Sequence, residues 1–445
     1  MLSCTRRILE RTRAVAFEAL DAVQGAKVHQ ARRELEWFEQ RDCDDPAVVR
    51  LENAKIRRLL SHAAASVPRY AHLDGVVNLS AFPVITKADL TGDPSGFRSS
   101  EHERNLVVRS TSGSTGTPLS VVQDREKRQR IKAEVIHYSE KAGYRVGGPL
   151  VFMRAKTSLT GKPTWLRWFQ NETMLDIAYM NERNSRELFA ELSKPRFRDA
   201  YVLCYGSTLD SLVDFTHKNP EVLNALPVFA GVVSGSDQLL EKTREATASM
   251  FRCVCFNRYS NQENGILAQD EGTDDGFLVN TCHYKMEILE LDSDRPAMPG
   301  EVGRIVVTDL YNFAMPMIRY DTGDLGALVV QTHGQGRNRL VLHELAGRAH
   351  DVVWDVHGSS VSNAIEVGFW EFPEIRQFQL IQWDTAKYEL LVVGDDIPSV
   401  SPRLQYRLRQ ILGETAEATI RSVPNIDPLP SGKRSCVVNA MNKGS

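Results

Sequence analysis

Between Arg109 and Pro118 every residue from 110 to 117 is Ser, Thr or Gly. Small residues let successive backbone N–H groups curl toward an anion, and the hydroxyls of Ser112, Ser114 and Thr115 add donors. With Gly113, Gly116 and Thr117 completing it, the loop suits a polyphosphate. It lacks the Gly-Lys-Ser/Thr ending of a Walker loop. A surface loop is the competing reading of the same composition.

A second block, Asn257 to Glu263, follows the apolar run Cys253 to Phe256. Tyr259 can stack on a base, and the Glu263 carboxylate can hold Mg²⁺ against phosphate oxygens. In a third block, Pro316 to Leu325, Asp324 stands just past a Gly turn and can accept hydrogen bonds from vicinal ribose hydroxyls. Gly347-Arg348 makes a fourth. In the fifth, Leu429-Pro430-Ser431-Gly432-Lys433, a lysine on a Gly loop can meet negative charge as it develops. Each residue has a plainer alternative: a turn cap for Asp324, a surface helix position for Glu263, a solvated lysine for Lys433.

These residues need a scaffold. Residues 1 to about 75 read as helical, with an apolar stripe at Leu51, Ile56, Leu59, Leu60 and Ala63. Val67-Pro68 interrupts it, and 82–87 reads as a short strand or turn entering a helix. From 106 onward, short apolar runs (106–108, 150–153, 201–204, 228–233) alternate with helical stretches such as 237–251. That pattern predicts an α/β fold with parallel-type sheet. After about 275 an appended β-rich subdomain is expected from 302–307, 325–330 and 339–342. A small α+β domain then spans 347–445, pairing 378–381 with 389–393 beside a helix at 401–412. The expected division is 1–346 and 347–445.

The sequence has 445 residues and a net charge of −3, which argues against a nucleic-acid binder working by bulk charge. No run of 18 apolar residues is present, so no transmembrane segment is expected. Seven cysteines without a Cys-x-x-Cys pair suggest a reduced, cytoplasmic chain. Arg6, Arg7, Arg11 and Arg13, beside Leu2, Ile8 and Leu9, read as a solvated helix, with a membrane-surface helix as the alternative.

The five blocks, in this order, resemble the adenylate-forming superfamily of acyl-CoA synthetases, adenylation domains and luciferases. The resemblance covers roughly 85 to 435. It is nearest the phenylacetate–coenzyme A ligase branch and its capsule-biosynthesis (CapK-like) relatives, through 300–308, 315–320, 67–70 and 82–87. It implies ATP-dependent activation of a carboxylic acid to an acyl-adenylate, with pyrophosphate released, then transfer to coenzyme A. Transfer to an amine, on a surface-polysaccharide sugar or an amino acid, is the alternative, and a non-catalytic nucleotide binder the lesser one.

By the same resemblance, the 112–117 loop holds pyrophosphate, and Gly235, Ser236, Tyr259, Ser260, Asn261 and Gln262 contact nucleotide. Glu263 binds Mg²⁺, and Asp324 with Arg348 grips ribose. Lys433 bridges the carboxylate and α-phosphate. The small domain is mobile about a hinge at His350, and Gly358 lines the acceptor tunnel. Tyr205 and Gly206 line the acyl pocket; His137 either joins them or packs in the core. The 153–170 stretch, with Arg154, Lys156, Lys162 and Arg167, would suit an anionic acid unless it lies on the surface. Thr117, Ser260, Gln262 and His350 depart from the usual pattern. The branch can carry a cysteine zinc site after the aromatic block; 264–285 offer only Cys282 and His283, so no structural zinc is expected. Oligomeric state has no signature.

Overall fold

The structure is a computed structural model, and it describes residues 2–101, 106–110, 119–154, 162–177, 182–235, 239–333, 336–348, 353–357, 361, 365, 372, 374–426 and 436–441. Three helices open the chain: α1 (Leu2–Val23), α2 (Lys27–Glu39) and α3 (Pro46–Ser66). The start of α3 is set by Pro46 and by Asp45, whose carboxylate accepts from the Ala47 N–H at 2.7 Å. It stops at Val67, which the following proline holds in extended geometry. Its inner face packs on Phe82, Ile85, Met315, Met317 and Tyr320. The entry into α4 (Lys87–Gly92) is a capping box between Thr86 and Asp89, at 3.3 and 2.8 Å.

The strands β1 (Val107–Ser110) and β2 (Ser120–Gln123) pair antiparallel, with Ser110 opposite Ser120. Next comes α5 (Arg125–Lys141), capped by the Asp124 carboxylate on the Lys127 N–H at 2.8 Å.

Among the described residues the main sheet has eleven strands. Its parallel half comprises β3 (Leu150–Met153), β4 (Glu172–Leu175), β5 (Tyr201–Cys204), β6 (Gly231–Gly235) and β7 (Cys255–Asn261). The helices α6 (Thr164–Gln170), α7 (Glu182–Leu192), α8 (Gly206–Lys218) and α9 (Glu241–Phe251) connect them. The central strands β5 and β6 are short and strongly buried, as a sheet covered on both faces requires, while the edge strand β4 is half-buried throughout. The spatial order is β4-β3-β5-β6-β7. The chain steps outward from β3 to β4, then returns past β3 to β5. At the carboxyl ends of β3 and β5, such a reversal is where open α/β sheets form the crevice that binds ligands.

Beyond β7 the sheet turns antiparallel through β8 (Gly265–Gln269), β9 (Phe277–Val279), β10 (Tyr284–Leu289), β11 (Gly303–Asp309), β12 (Tyr320–His333) and β13 (Arg337–Arg348), in the order β8-β9-β13-β12-β11-β10. A separate four-stranded sheet follows: β14 (Ile375–Asp384), β15 (Lys387–Gly394), β16 (Glu417–Ser422) and β17 (Val437–Asn439), packed on α10 (Ile397–Leu412). The fold is the expected mixed α/β architecture with a smaller carboxyl-terminal unit, and Phe378 and Ile381 face Val392 and Glu389 as expected.

Three boundaries are corrected. The strand expected at 228–233 is Gly231–Gly235, because Phe229 turns out of the strand to pack edge-on against Phe251. The block expected after the 253–256 strand is itself strand, since β7 pairs with β6 and β8 as far as Asn261. The strand expected at 339–342 is longer, with β13 running from Arg337 through Arg348. Among the described residues no helix is long and apolar enough to cross a membrane.

Candidate active site

The carboxyl end of β7 lies at the seam between the two halves of the sheet, so residues there face groups from both. Tyr259 is 7% exposed and packs with Leu267, Ala268 and Ile305. Its hydroxyl donates to Asp324 Oδ2 at 2.7 Å and lies 3.3 Å from Thr322 Oγ1. Burial first, then the Asp324 charge, holds the phenol protonated far above its ordinary range. Enclosed this way, Tyr259 acts on Asp324 directly, and stacking on a base is left to whatever ring surface the cluster leaves open.

Asp324 lies within β12, not merely past a turn. Gly323 (φ +75°) supplies the left-handed residue in Asp321-Thr322-Gly323-Asp324, and the Asp324 N–H donates to Thr322 Oγ1 at 3.1 Å. In the β12–β13 register, Asp324 is the direct partner of Arg348.

Asn261 Oδ1 accepts from the Asn264 N–H at 2.8 Å, so this side chain shapes the turn between β7 and β8. Gln262 is exposed beside it, while Ser260 and Glu263 are half-buried. The Glu263 carbonyl accepts from Gln123 Nε2 at 3.3 Å, and Glu263 Oε1 accepts from the Tyr320 hydroxyl at 3.3 Å. Burial raises the Glu263 carboxyl above the usual range, and the Asp324 charge adds to this; its own backbone N–H, the Tyr320 hydroxyl and Lys87 oppose it. Gly235 ends β6, in register with Arg258 of β7.

Under this turn lies a polar core. Glu134 Oε2 accepts from the Ile266 N–H at 3.1 Å, and Tyr284 Oη lies 2.8 Å from both Glu134 Oε1 and the Asn264 carbonyl. Lys127 Nζ donates to Tyr284 Oη at 2.9 Å and pairs with Asp309 at 2.8 Å. The helix following the Ser/Thr/Gly segment is thereby locked to the turn that carries Glu263. His283 belongs to this core too, 2.6 Å from Glu134, and burial lowers its pKa well below the ordinary value. Cys282 Sγ is 3.8 Å from Lys55 Nζ. Among the described residues no three His, Cys, Asp or Glu side chains are grouped for a metal. Mg²⁺ is commonly held by one or two carboxylates plus substrate phosphates, a demand Glu263 fits.

Tyr205 is the N-cap of α8 and Gly206 opens that helix as a buried residue, both just past the carboxyl end of β5, the strand that neighbours β3. His137 does not join them. It is on α5, thirteen residues (137 − 124) and about 20 Å along the helix from the cap at Asp124. Its Nε2 is 3.0 Å from Glu39 on α2. Within 153–170, α6 takes the surface alternative: it has no buried residue, Trp165 and Trp168 are exposed, and Lys162 pairs with Glu172 at 2.5 Å. Ser112, Gly113, Ser114, Thr115, Gly116, Thr117, Ser236, His350, Gly358 and Lys433 lie outside the described residues, and Arg348 is described in its backbone only. Sequence reasoning missed Tyr320 and Gln123 as supports of Glu263. The signal for Tyr320 was its position four residues before Asp324.

No family profile matches the chain. It is 25% identical over 322 residues to a phenylacetate–coenzyme A ligase of Thermus thermophilus, covering 68% of this chain and 71% of that one. It is 20% identical over 421 residues to Protein CapK of Staphylococcus aureus, covering 90% of each. A crystal structure of 2-hydroxyisobutyryl-CoA ligase, in the postadenylation state with R3-HIB-AMP, superposes with a TM-score of 0.71 at 16% identity over 91% of this chain and 92% of that one. The fold is that of the adenylate-forming ligases. The sequence similarity lies in the phenylacetate–CoA ligase branch, including its CapK-like members.

Proposed function

We propose that this chain, built on the adenylate-forming ligase fold, is an AMP-forming carboxylate ligase. It activates a carboxylic acid with ATP to an acyl-adenylate and pyrophosphate, then passes the acyl group to coenzyme A. The observation that carries this reading is the convergence of Glu263, Tyr259 and Asp324, with Arg348 opposite Asp324 in register, at one end of the sheet.

Each group has work there. Asp324, fixed by Tyr259 and its own turn, accepts the ribose hydroxyls, and Arg348, its partner in the β12–β13 register, supplies a cation. Glu263, fixed by Tyr320 and Gln123, holds Mg²⁺ against the phosphates. When bound, Mg²⁺ neutralises phosphate charge. The acid enters at the crevice beside Tyr205 and Gly206. Catalysis of this kind rests on positioning and charge neutralisation. The 112–117 segment, with Ser236, binds phosphate, and Lys433 spans the carboxylate and α-phosphate. His350 is the hinge, and Gly358 lines the acceptor path. Such chemistry, with seven cysteines and no Cys-x-x-Cys pair in the sequence, suits the cytoplasm.

The test is acid-dependent exchange between ATP and labelled pyrophosphate over a panel of aryl, fatty, hydroxy and amino acids. AMP release is then measured with and without coenzyme A. Stimulation by coenzyme A supports the thiol acceptor, whereas amide formation without it assigns an amine.

A further inference from the structure

A surface helix ordinarily turns its apolar stripe inward and its charges outward. α1 does the reverse. Ile8, Val15 and Val23 recur at seven- and eight-residue spacing with Ala19 between them, and they are 62%, 57% and 87% exposed. Its opposite face carries charge and is the bonded one. Arg6 donates to the carbonyls of Pro195 and Arg198 and pairs with Glu10 at 2.7 Å. Arg13 is buried, and the Asp21 carboxylate accepts from the N–H groups of Val28 and His29 at 3.0 and 2.9 Å. The helix is seated by these polar bonds and by Phe17, which packs against the core around α2, while the exposed aliphatic stripe is directed away from the protein.

The neighbouring surface continues the pattern. The Arg13 guanidinium lies 5.0 Å from the Trp168 ring, and Trp168 and Trp165 on α6 are 61% and 69% exposed. Tryptophan at that exposure, next to aliphatic side chains, suits a boundary that is apolar on one side and wet on the other. The exposed charges around the patch are mainly cations: Arg7, Arg11, Arg145 and Arg198, against Glu18 and Asp199.

We propose that α1 and α6 together dock on an anionic phospholipid bilayer. The aliphatic stripe and the two tryptophans enter the interface, and the arginines meet the headgroups. The placement is consistent with a working enzyme. α1 packs on Gly147 and on Arg198, which precede β3 and β5. The docking face is therefore at the amino-terminal ends of the parallel strands, whereas the crevice and Glu263 are at the carboxyl ends. A chain lying on the membrane by α1 keeps its crevice open to water.

The test is co-sedimentation of the full chain with vesicles of phosphatidylcholine alone and of phosphatidylcholine with phosphatidylglycerol in equal parts. The phosphatidylglycerol vesicles should bind it, phosphatidylcholine alone should bind it weakly, and salt should release it. The double variant Ile8→Ser/Val15→Ser should lose at least about ten-fold in partitioning, with its melting temperature unchanged. Brominated lipid should quench tryptophan fluorescence in the parent chain and lose that effect in Trp165→Phe/Trp168→Phe. Equal partitioning of the parent and the serine variant, or no binding to the anionic vesicles, overturns the proposal. So does a dimer in light scattering that the serine variant disperses, because a second copy would then cover the stripe.

Discussion

The Tyr259 hydroxyl donates to Asp324 Oδ2 at 2.7 Å, joining β7, the last strand of the parallel half of the sheet, to the first residues of β12. The bond aims a carboxylate that also has Arg348 as its cross-strand partner. Removing one hydrogen bond to a charged group costs about 1.5–3 kcal/mol. Tyr259→Phe should therefore raise KM for ATP by about ten-fold or more while kcat falls less, as steady-state kinetics at varied ATP would show. A variant with unchanged KM would place the ribose elsewhere.

The Glu263 carboxyl is raised above its ordinary value, 4.5, by burial and then by the Asp324 charge. A raised carboxyl stabilises the fold at low pH, where it is neutral, and loses that contribution as pH rises through the folded value. Two results follow. The acid limb of kcat/KM for Mg²⁺·ATP should lie above pH 4.5 and vanish in Glu263→Gln, whose activity should drop about 100-fold. The same variant should melt at or above the parent temperature at neutral pH. Equal loss of activity and stability would make Glu263 a structural residue.

Glu34 behaves oppositely. Burial pushes its carboxyl up, but Lys55, at 2.7 Å, and Arg130 outweigh it and lower the pKa to about 2. Stability from this group is present above 4.5 and is lost as pH falls from there toward 2. Glu34→Gln should flatten unfolding free energy against pH across that window and cost about 2 kcal/mol at neutral pH. Urea titrations at several pH values measure both.

At Gly231, where β6 begins, a Cβ would come within 1.9 Å of the Ala142 carbonyl oxygen. That atom is backbone, at the end of α5, and cannot swing aside. Gly231→Ala should cost about 1–3 kcal/mol or more, read as a lowered denaturant midpoint. An unchanged midpoint would mean α5 and β6 can separate freely.

What the sequence revealed, and what it hid, has a common physical cause. The cores of β3 and β5 were legible because a strand buried on both faces must be an apolar run, and Phe378 to Ile381 was legible beside its partner for similar reasons. β7 was cut short because its outer half, Asn257 to Asn261, is mostly polar: at the seam, side chains bond across instead of packing. His137 was left open between pocket and core because α5 buries Lys127, Gln129, Glu134 and His137, leaving no apolar periodicity to show which face is inside. Glu263, Asp324 and Tyr259 were nameable from motif order, yet the bond between Tyr259 and Asp324 depends on a sheet register that no local spacing encodes.

The central claim is adenylation, and ATP–pyrophosphate exchange tests it most directly. The parent chain should exchange label with at least one carboxylic acid and Mg²⁺, and not without acid. Lys433→Ala should abolish that exchange while ATP still binds. Exchange unaltered in Lys433→Ala, or none with any acid on the panel while ATP binding is intact, would contradict the account.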